Sequence, residues 1–159
     1  MPNFAEQVVK RLEDQGIKRI YGLVGDSLNP LSDAVRQSDI EWVHVRNEEA
    51  AAFAAGADAL AADELAVCGA SCGPGNTHFV QGLFESHRNG SKVLAIASHI
   101  PTIEIGSSFF QETHPELLFQ ECSSYCEVVH EADQGMRVLH NALQNTLAGN
   151  GVSVMIVPG

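Results

Sequence analysis

The sequence predicts an α/β fold: a single three-layer domain with about six mainly parallel strands and helices on both faces. Two observations carry that prediction. Amphipathic helical stretches alternate with short apolar runs along the whole chain, which is the pattern of a parallel sheet with crossover helices. The 159 residues, 45% of them hydrophobic, are enough for one substantial core but hardly for two, so one domain is expected over residues 1–159.

The elements follow in order. A first helix is expected from Phe4 to Gln15, with Phe4, Val8 and Leu12 on one face and Gly16 placed to end it. Arg19 to Val24 reads as a strand. Asp26 or Ser27 is placed to cap a helix carrying Leu28, Leu31, Ala34 and Val35, and Trp42 to Val45 reads as the next strand. An alanine-rich helix is expected from about Asn47 to Ala62. Leu65 to Cys68, Val93 to Ala97, Tyr125 to Val129 and Val152 to Val157 supply further strands, with helices near Asn76 to Arg88 and Gln134 to Ala148. The one long irregular stretch, His99 to Gln111, has the length at which loops in compact domains carry function.

Charge narrows the function. With 20 acidic against 9 basic residues the formal net charge is -11, which repels nucleic-acid phosphates and anionic lipid, so no nucleic-acid partner is expected. No signal peptide opens the chain and no apolar run is long enough to span a bilayer, and a cytoplasmic location is the expectation. Cys68, Cys72, Cys122 and Cys126 sit in apolar or helical-looking segments and are expected as reduced structural thiols. Their two C-x-x-x-C spacings would place thiols on one helix face only if each pair lay within one helix, and no metal site is expected in this chain. The seven histidines form no obvious ligand pair. His78, His87 and His99 read as packing or surface residues.

Three segments have the residue types that chemistry needs. In Arg46-Asn47-Glu48-Glu49 followed by Ala50-Ala51-Ala52-Phe53-Ala54-Ala55-Gly56-Ala57, a carboxylate opens a helix of small side chains that allow other backbone or a cofactor to come close. Two adjacent glutamates diverge by about a quarter-turn, so one is expected buried and one exposed. A carboxylate withdrawn from water suits a proton relay, although both also suit the positive end of a helix dipole. In Cys72-Gly73-Pro74-Gly75-Asn76-Thr77, a glycine turn joins a strand to a helix and can present backbone N–H groups to a ligand. It is neither G-x-G-x-x-G nor a phosphate loop ending in Gly-Lys-Ser/Thr, and such turns also occur without a ligand. In Phe109-Phe110-Gln111-Glu112-Thr113-His114-Pro115, an aromatic can wall a pocket and an amide can bind a carboxylate or carbonyl, or the aromatics can simply anchor the loop.

These segments, in this order and together with Ile20-Tyr21-Gly22-Leu23-Val24-Gly25-Asp26-Ser27-Leu28-Asn29, resemble the N-terminal, aminopyrimidine-binding domain of thiamine-diphosphate-dependent 2-keto-acid enzymes of the pyruvate oxidase type. The resemblance covers essentially the whole chain; acetolactate synthases share the pattern less closely. It implies a six-stranded parallel sheet that binds the aminopyrimidine half of thiamine diphosphate at a dimer interface. By the same resemblance Glu48 is the glutamate that hydrogen-bonds a ring nitrogen and promotes the imino tautomer needed to activate the cofactor for attack on a 2-keto acid. Gly25, Gly73, Pro74, Gly75 and Asn76 are then expected beside the cofactor, Phe110 and Gln111 toward the substrate, and Glu49 as a neighbour.

The chain also departs from that family. Asn47 stands where the family often has histidine, and no Asp-Gly pair is available for the family's magnesium and diphosphate segment. Magnesium and FAD are therefore implied only for a full-length enzyme, along with a quinone acceptor, any peripheral membrane contact and a homo-oligomer, dimer or tetramer. The isolated chain is expected to be inactive. Its stop at Val157-Pro158-Gly159, straight after a strand, reads as a cut within a longer protein, with a naturally split subunit acting as a binding module as the alternative. The leading expectation is a domain of a pyruvate:quinone oxidoreductase; the enzymatic alternative is an acetolactate-synthase-like carboligase.

Overall fold

A computed structural model describes residues 2–159. Six strands form one sheet in the order β2-β1-β3-β4-β6-β5, every neighbouring pair parallel. The strands are β1 Arg19–Gly22, β2 Glu41–His44, β3 Ala66–Ala70, β4 Val93–His99, β5 Tyr125–Val128 and β6 Ser153–Pro158. The helices are α1 Phe4–Asp14, α2 Asn29–Arg36, α3 Glu48–Ala62, α4 Pro74–Arg88, α5 Pro115–Leu118 and α6 Ala132–Leu147. The α/β class, the single three-layer domain and the six parallel strands stand as expected.

Two cores lie on opposite faces of the sheet. On one, Val8, Val9 and Leu12 of α1, Leu31 and Val35 of α2, and Leu139 and Leu143 of α6 cover Ile20, Val67, Leu94, Ile96 and Met155. On the other, Ala51, Ala52, Ala55 and Ala59 of α3 and Phe79 and Leu83 of α4 cover Cys68, Ala70, Ala95, Ala97 and Ile156. Successive residues of a strand point to opposite faces, so β3 and β4 serve both cores and are buried throughout. The small side chains are concentrated on the α3–α4 side.

Several boundaries moved for identifiable reasons. Neither Asp26 nor Ser27 caps α2; a 3₁₀ turn spans Asp26–Leu28, and α2 starts at Asn29 with Pro30 in its first turn and no side-chain cap. The Ser27 hydroxyl is engaged in the sheet crevice instead. Asn47 is the N-cap of α3 rather than its first residue, accepting a hydrogen bond from the Glu49 N–H at 2.8 Å. A capping box closes α1: Asn3 Oδ1 accepts from Glu6 N at 2.9 Å and Asn3 N donates to Glu6 Oε2 at 2.8 Å. Of the stretch expected to be irregular, His99 closes β4, a 3₁₀ turn spans Thr102–Glu104 and the rest up to Gln111 is neither helix nor strand; the short α5 and a second 3₁₀ turn at Gln120–Cys122 follow it.

All four cysteines are free thiols, and neither C-x-x-x-C pair shares one helix. Burial pushes the Cys122 thiol up to about 11 and the Cys126 thiol up to about 12, and raises Cys68 as well, so these sulfurs stay protonated and inert. Among the described residues no helix is long and apolar enough to cross a membrane.

Candidate functional site

Topology points to a candidate ligand site. The chain leaves β1 toward β2 on one side and leaves β3 toward β4 on the other, so a crevice opens at the C-terminal ends of β1 and β3. Ligands of open α/β sheets bind at such switch points. The crevice is lined by the Gly25 loop after β1 and the Ser71–Gly75 loop after β3, and the start of α3 comes in beside them.

Close backbone approach shapes this crevice. Gly25 is extended, so its value is space: a Cβ there would stand 2.7 Å from Ser71 Cβ. At Gly75 a Cβ would meet Ser71 Oγ at 2.9 Å and Glu48 Oε1 at 3.0 Å. Gly73 has φ +67°, a left-handed value that glycine adopts freely, and its missing side chain makes room for Gln111, whose Cβ and backbone oxygen each lie 2.9 Å from where a Cβ would be. Pro74 then opens α4 at the position where its absent N–H costs nothing.

A polar chain ties the loops together. The Ser98 hydroxyl donates to Ala70 O at 3.0 Å, which commits its proton, so the Ser27 hydroxyl is the donor in the 2.6 Å contact with Ser98 Oγ. Ser27 Oγ in turn accepts from Cys72 N at 3.0 Å. Asn76 is fully buried and donates from Nδ2 to Ser98 O at 2.8 Å, while its Oδ1 has no partner among the described residues. The Asn76 side chain thereby joins α4 to β4.

Glu48 is the chemically distinctive group. It is 5% exposed at the first turn of α3, with Oε2 3.0 Å from His78 Nδ1, while no described residue donates to Oε1. Its neighbour Glu49 is partly exposed, so the two glutamates diverge as their spacing requires. His78, read from sequence as a packing or surface residue, is half-exposed and bound to Glu48. That pairing went unseen because the partners are 30 positions apart; the available clue was that His78 lies three residues after Gly75 on one helix face.

The structure brings Glu48, Gly25, Gly73, Gly75 and Gln111 together around one crevice, with Gln111 held against Gly73. Phe110 is not drawn in. It stands 84% exposed on the loop, its ring 4.9 Å from that of Phe109. Among the described residues no group of three or more His, Cys, Asp and Glu is arranged to hold a metal ion. The spaces that side chains at Gly25 and Gly75 would take are filled by Ser71 and, at Gly75, by Glu48, so loop and carboxylate pack closely with Glu48 Oε1 left as an acceptor.

The family model described as the thiamine pyrophosphate enzyme, N-terminal TPP binding domain, matches residues 2–120. An uncharacterised 42.6 kDa protein of Pseudomonas amyloderamosa is 56% identical over 98% of this chain and 39% of its own length. Pyruvate oxidase of Lactiplantibacillus plantarum is 32% identical over 95% of this chain and 25% of its own length. Acetolactate synthase isozyme 2 large subunit of Escherichia coli is 29% identical over 97% of this chain and 28% of its own length. The chain thus spans about a quarter to two fifths of the length of these relatives.

Proposed function

The chain belongs to the thiamine pyrophosphate enzyme N-terminal domain family, and from that premise we propose that it supplies the aminopyrimidine-binding half of the active site in an enzyme that decarboxylates pyruvate and passes the electrons to a quinone. The observation that carries this reading is the Glu48 carboxylate, buried at the switch point with one oxygen held by His78 and the other free. Oε1 accepts a hydrogen bond from a ring nitrogen and holds or returns its proton, and His78 fixes the plane of the carboxylate. Gly25 and Gly75 let Ser71 and Glu48 pack closely beside the ring, and Gln111 supplies an amide to the keto acid. Bound there, thiamine diphosphate supplies the nucleophilic carbon and the electron sink that loss of carbon dioxide requires.

Within this proposal, magnesium, FAD, the quinone and any membrane contact are assigned to parts of the full-length protein outside these 159 residues, and the active unit is a homo-oligomer. The test is pyruvate-dependent quinone reduction by the full-length native protein. It is expected to fall at least about 100-fold in Glu48→Ala, the scale of lost acid–base catalysis; undiminished turnover overturns the assignment of Glu48. The likeness to an acetolactate synthase supports a second reading, a carboligase. Acetate as the product supports the oxidase, and acetolactate the carboligase.

A further inference from the structure

The loop that carries Phe110 and Gln111 is closed by a carboxylate outside the cofactor crevice. Glu112 accepts the Gly106 N–H on Oε1 at 2.6 Å and the Ser108 N–H on Oε2 at 2.9 Å, and its own N–H donates to Phe109 O at 2.8 Å. Both clamped residues have left-handed backbone: Gly106 at φ +87° and Ser108 at φ +62°. For serine that conformation is uncommon and holds only when its surroundings impose it. Two N–H groups converging on one anion make a small backbone nest, and each bond is charge-assisted. Gln111, the preceding residue, is seated against Gly73.

We propose that Glu112 is a positioning residue: its carboxylate folds residues 106–112 into the one loop shape that holds Gln111 toward the keto acid. Glu112 touches neither substrate nor cofactor in this role and acts through the loop. The proposal rests on the functional reading above, in which that loop faces the substrate. An amide cannot replace the carboxylate, because Glu112→Gln turns an N–H₂ donor toward one of the two N–H groups.

Two measurements on the full-length native protein test it, with Glu112→Gln and Glu112→Asp compared with the unaltered protein. In amide hydrogen exchange without substrate, Glu112→Gln is expected to speed exchange at Gly106 and Ser108, and Glu112→Asp less so. In steady-state turnover, Glu112→Gln is expected to lower kcat/KM for the keto acid about 10- to 100-fold, the cost of a reacting group misplaced by about an ångström. Thiamine diphosphate affinity and the unfolding midpoint are expected to stay unchanged, and Glu112→Asp to recover part of the activity. Unchanged exchange overturns the clamp. Faster exchange with unchanged kcat/KM, or a parallel loss of cofactor affinity, overturns the positioning role. If the unaltered protein turns over no keto acid, the functional reading falls and takes the positioning role with it, while exchange still decides the clamp.

Discussion

Replacing His78 by alanine removes the one partner that orients the buried Glu48 carboxylate. A hydrogen bond to a charged group contributes about 1.5–3 kcal/mol, so the turnover number of the full-length protein is expected to drop roughly 10- to 100-fold with little change in KM for the keto acid. Unaltered kinetics would return His78 to the role of a surface histidine. His99 makes a second residue-scale prediction, this one on stability. It is 5% exposed at the end of β4, and burial holds its pKa below the usual imidazole value, outweighing the Glu116 and Glu112 carboxylates that pull it up; His114 also lowers it. A base neutral in the fold but able to protonate when unfolded gives stability that is complete above the unfolded pKa and is lost as pH falls toward the folded one. Denaturant midpoints measured from about pH 7 to about pH 5 are expected to fall less steeply in His99→Phe than in the unaltered protein; parallel curves would refute this. What was legible here was a pair of diverging glutamates at a helix start, a local signal; the choice of Glu48 between them came from the family resemblance. His78 and the clamp at Glu112 were not, since both depend on partners that only the folded loops bring within reach.

At the scale of elements, the packing of α3 on α4 decides where Glu48 stands. A Cβ at Gly82 would lie 2.6 Å from Ala52 Cβ, 2.8 Å from Phe53 N and 2.9 Å from Glu49 O. Two of those three atoms are backbone and cannot rotate away. At Gly56 the collision is with the Ser86 hydroxyl, the movable tip of a side chain. Alanine gains about 1 kcal/mol over glycine from helix propensity, against about 1–3 kcal/mol for overpacking. Gly82→Ala is therefore expected to destabilise the chain and, by pushing the helices apart, to weaken the cofactor site. Gly56→Ala is expected to cost less and to be rescued by Ser86→Ala; equal denaturant midpoints for Gly82→Ala and Gly56→Ala would show that the helices yield more easily than the packing implies. The elements themselves were readable because the small-residue run of α3 and the short apolar runs of the strands are local signals. The start of α2 was misread at Asp26 and Ser27 because those residues look like caps in isolation. Their sequence cannot show that Ser98 on β4 and Cys72 in the loop after β3 engage the Ser27 hydroxyl first.

The arrangement of the whole molecule explains why the sheet order leaves a crevice at β1 and β3, and also why so much apolar surface remains uncovered. Phe53, Ala57 and Leu60 recur at helical spacing along the outer side of α3, with Phe53 37% and Leu60 53% exposed, and Phe84 of α4 is 44% exposed under the Arg88 guanidinium. A hollow between the two helices, lined by Phe53, Gly56, Ala57 and Leu60 on one side and Glu85, Ser86 and Asn89 on the other, lets side chains of a facing helix enter. Apolar surface rimmed by polar groups marks an interface, and a stripe that meets its own copy across a two-fold axis needs no second kind of surface. The high negative charge opposes self-association in general, so pairing must come from this local apolar match and is expected to strengthen as salt screens the repulsion. In sedimentation of the full-length native protein the proposed homo-oligomer is therefore expected to dissociate in Leu60→Glu, where a charge would be buried unpaired, while Leu147→Glu, at an exposed apolar site on α6 across the sheet, leaves it assembled. An assembly that survives Leu60→Glu would move the interface away from α3, and a native protein that is monomeric at all salt concentrations would remove the proposed pairing altogether.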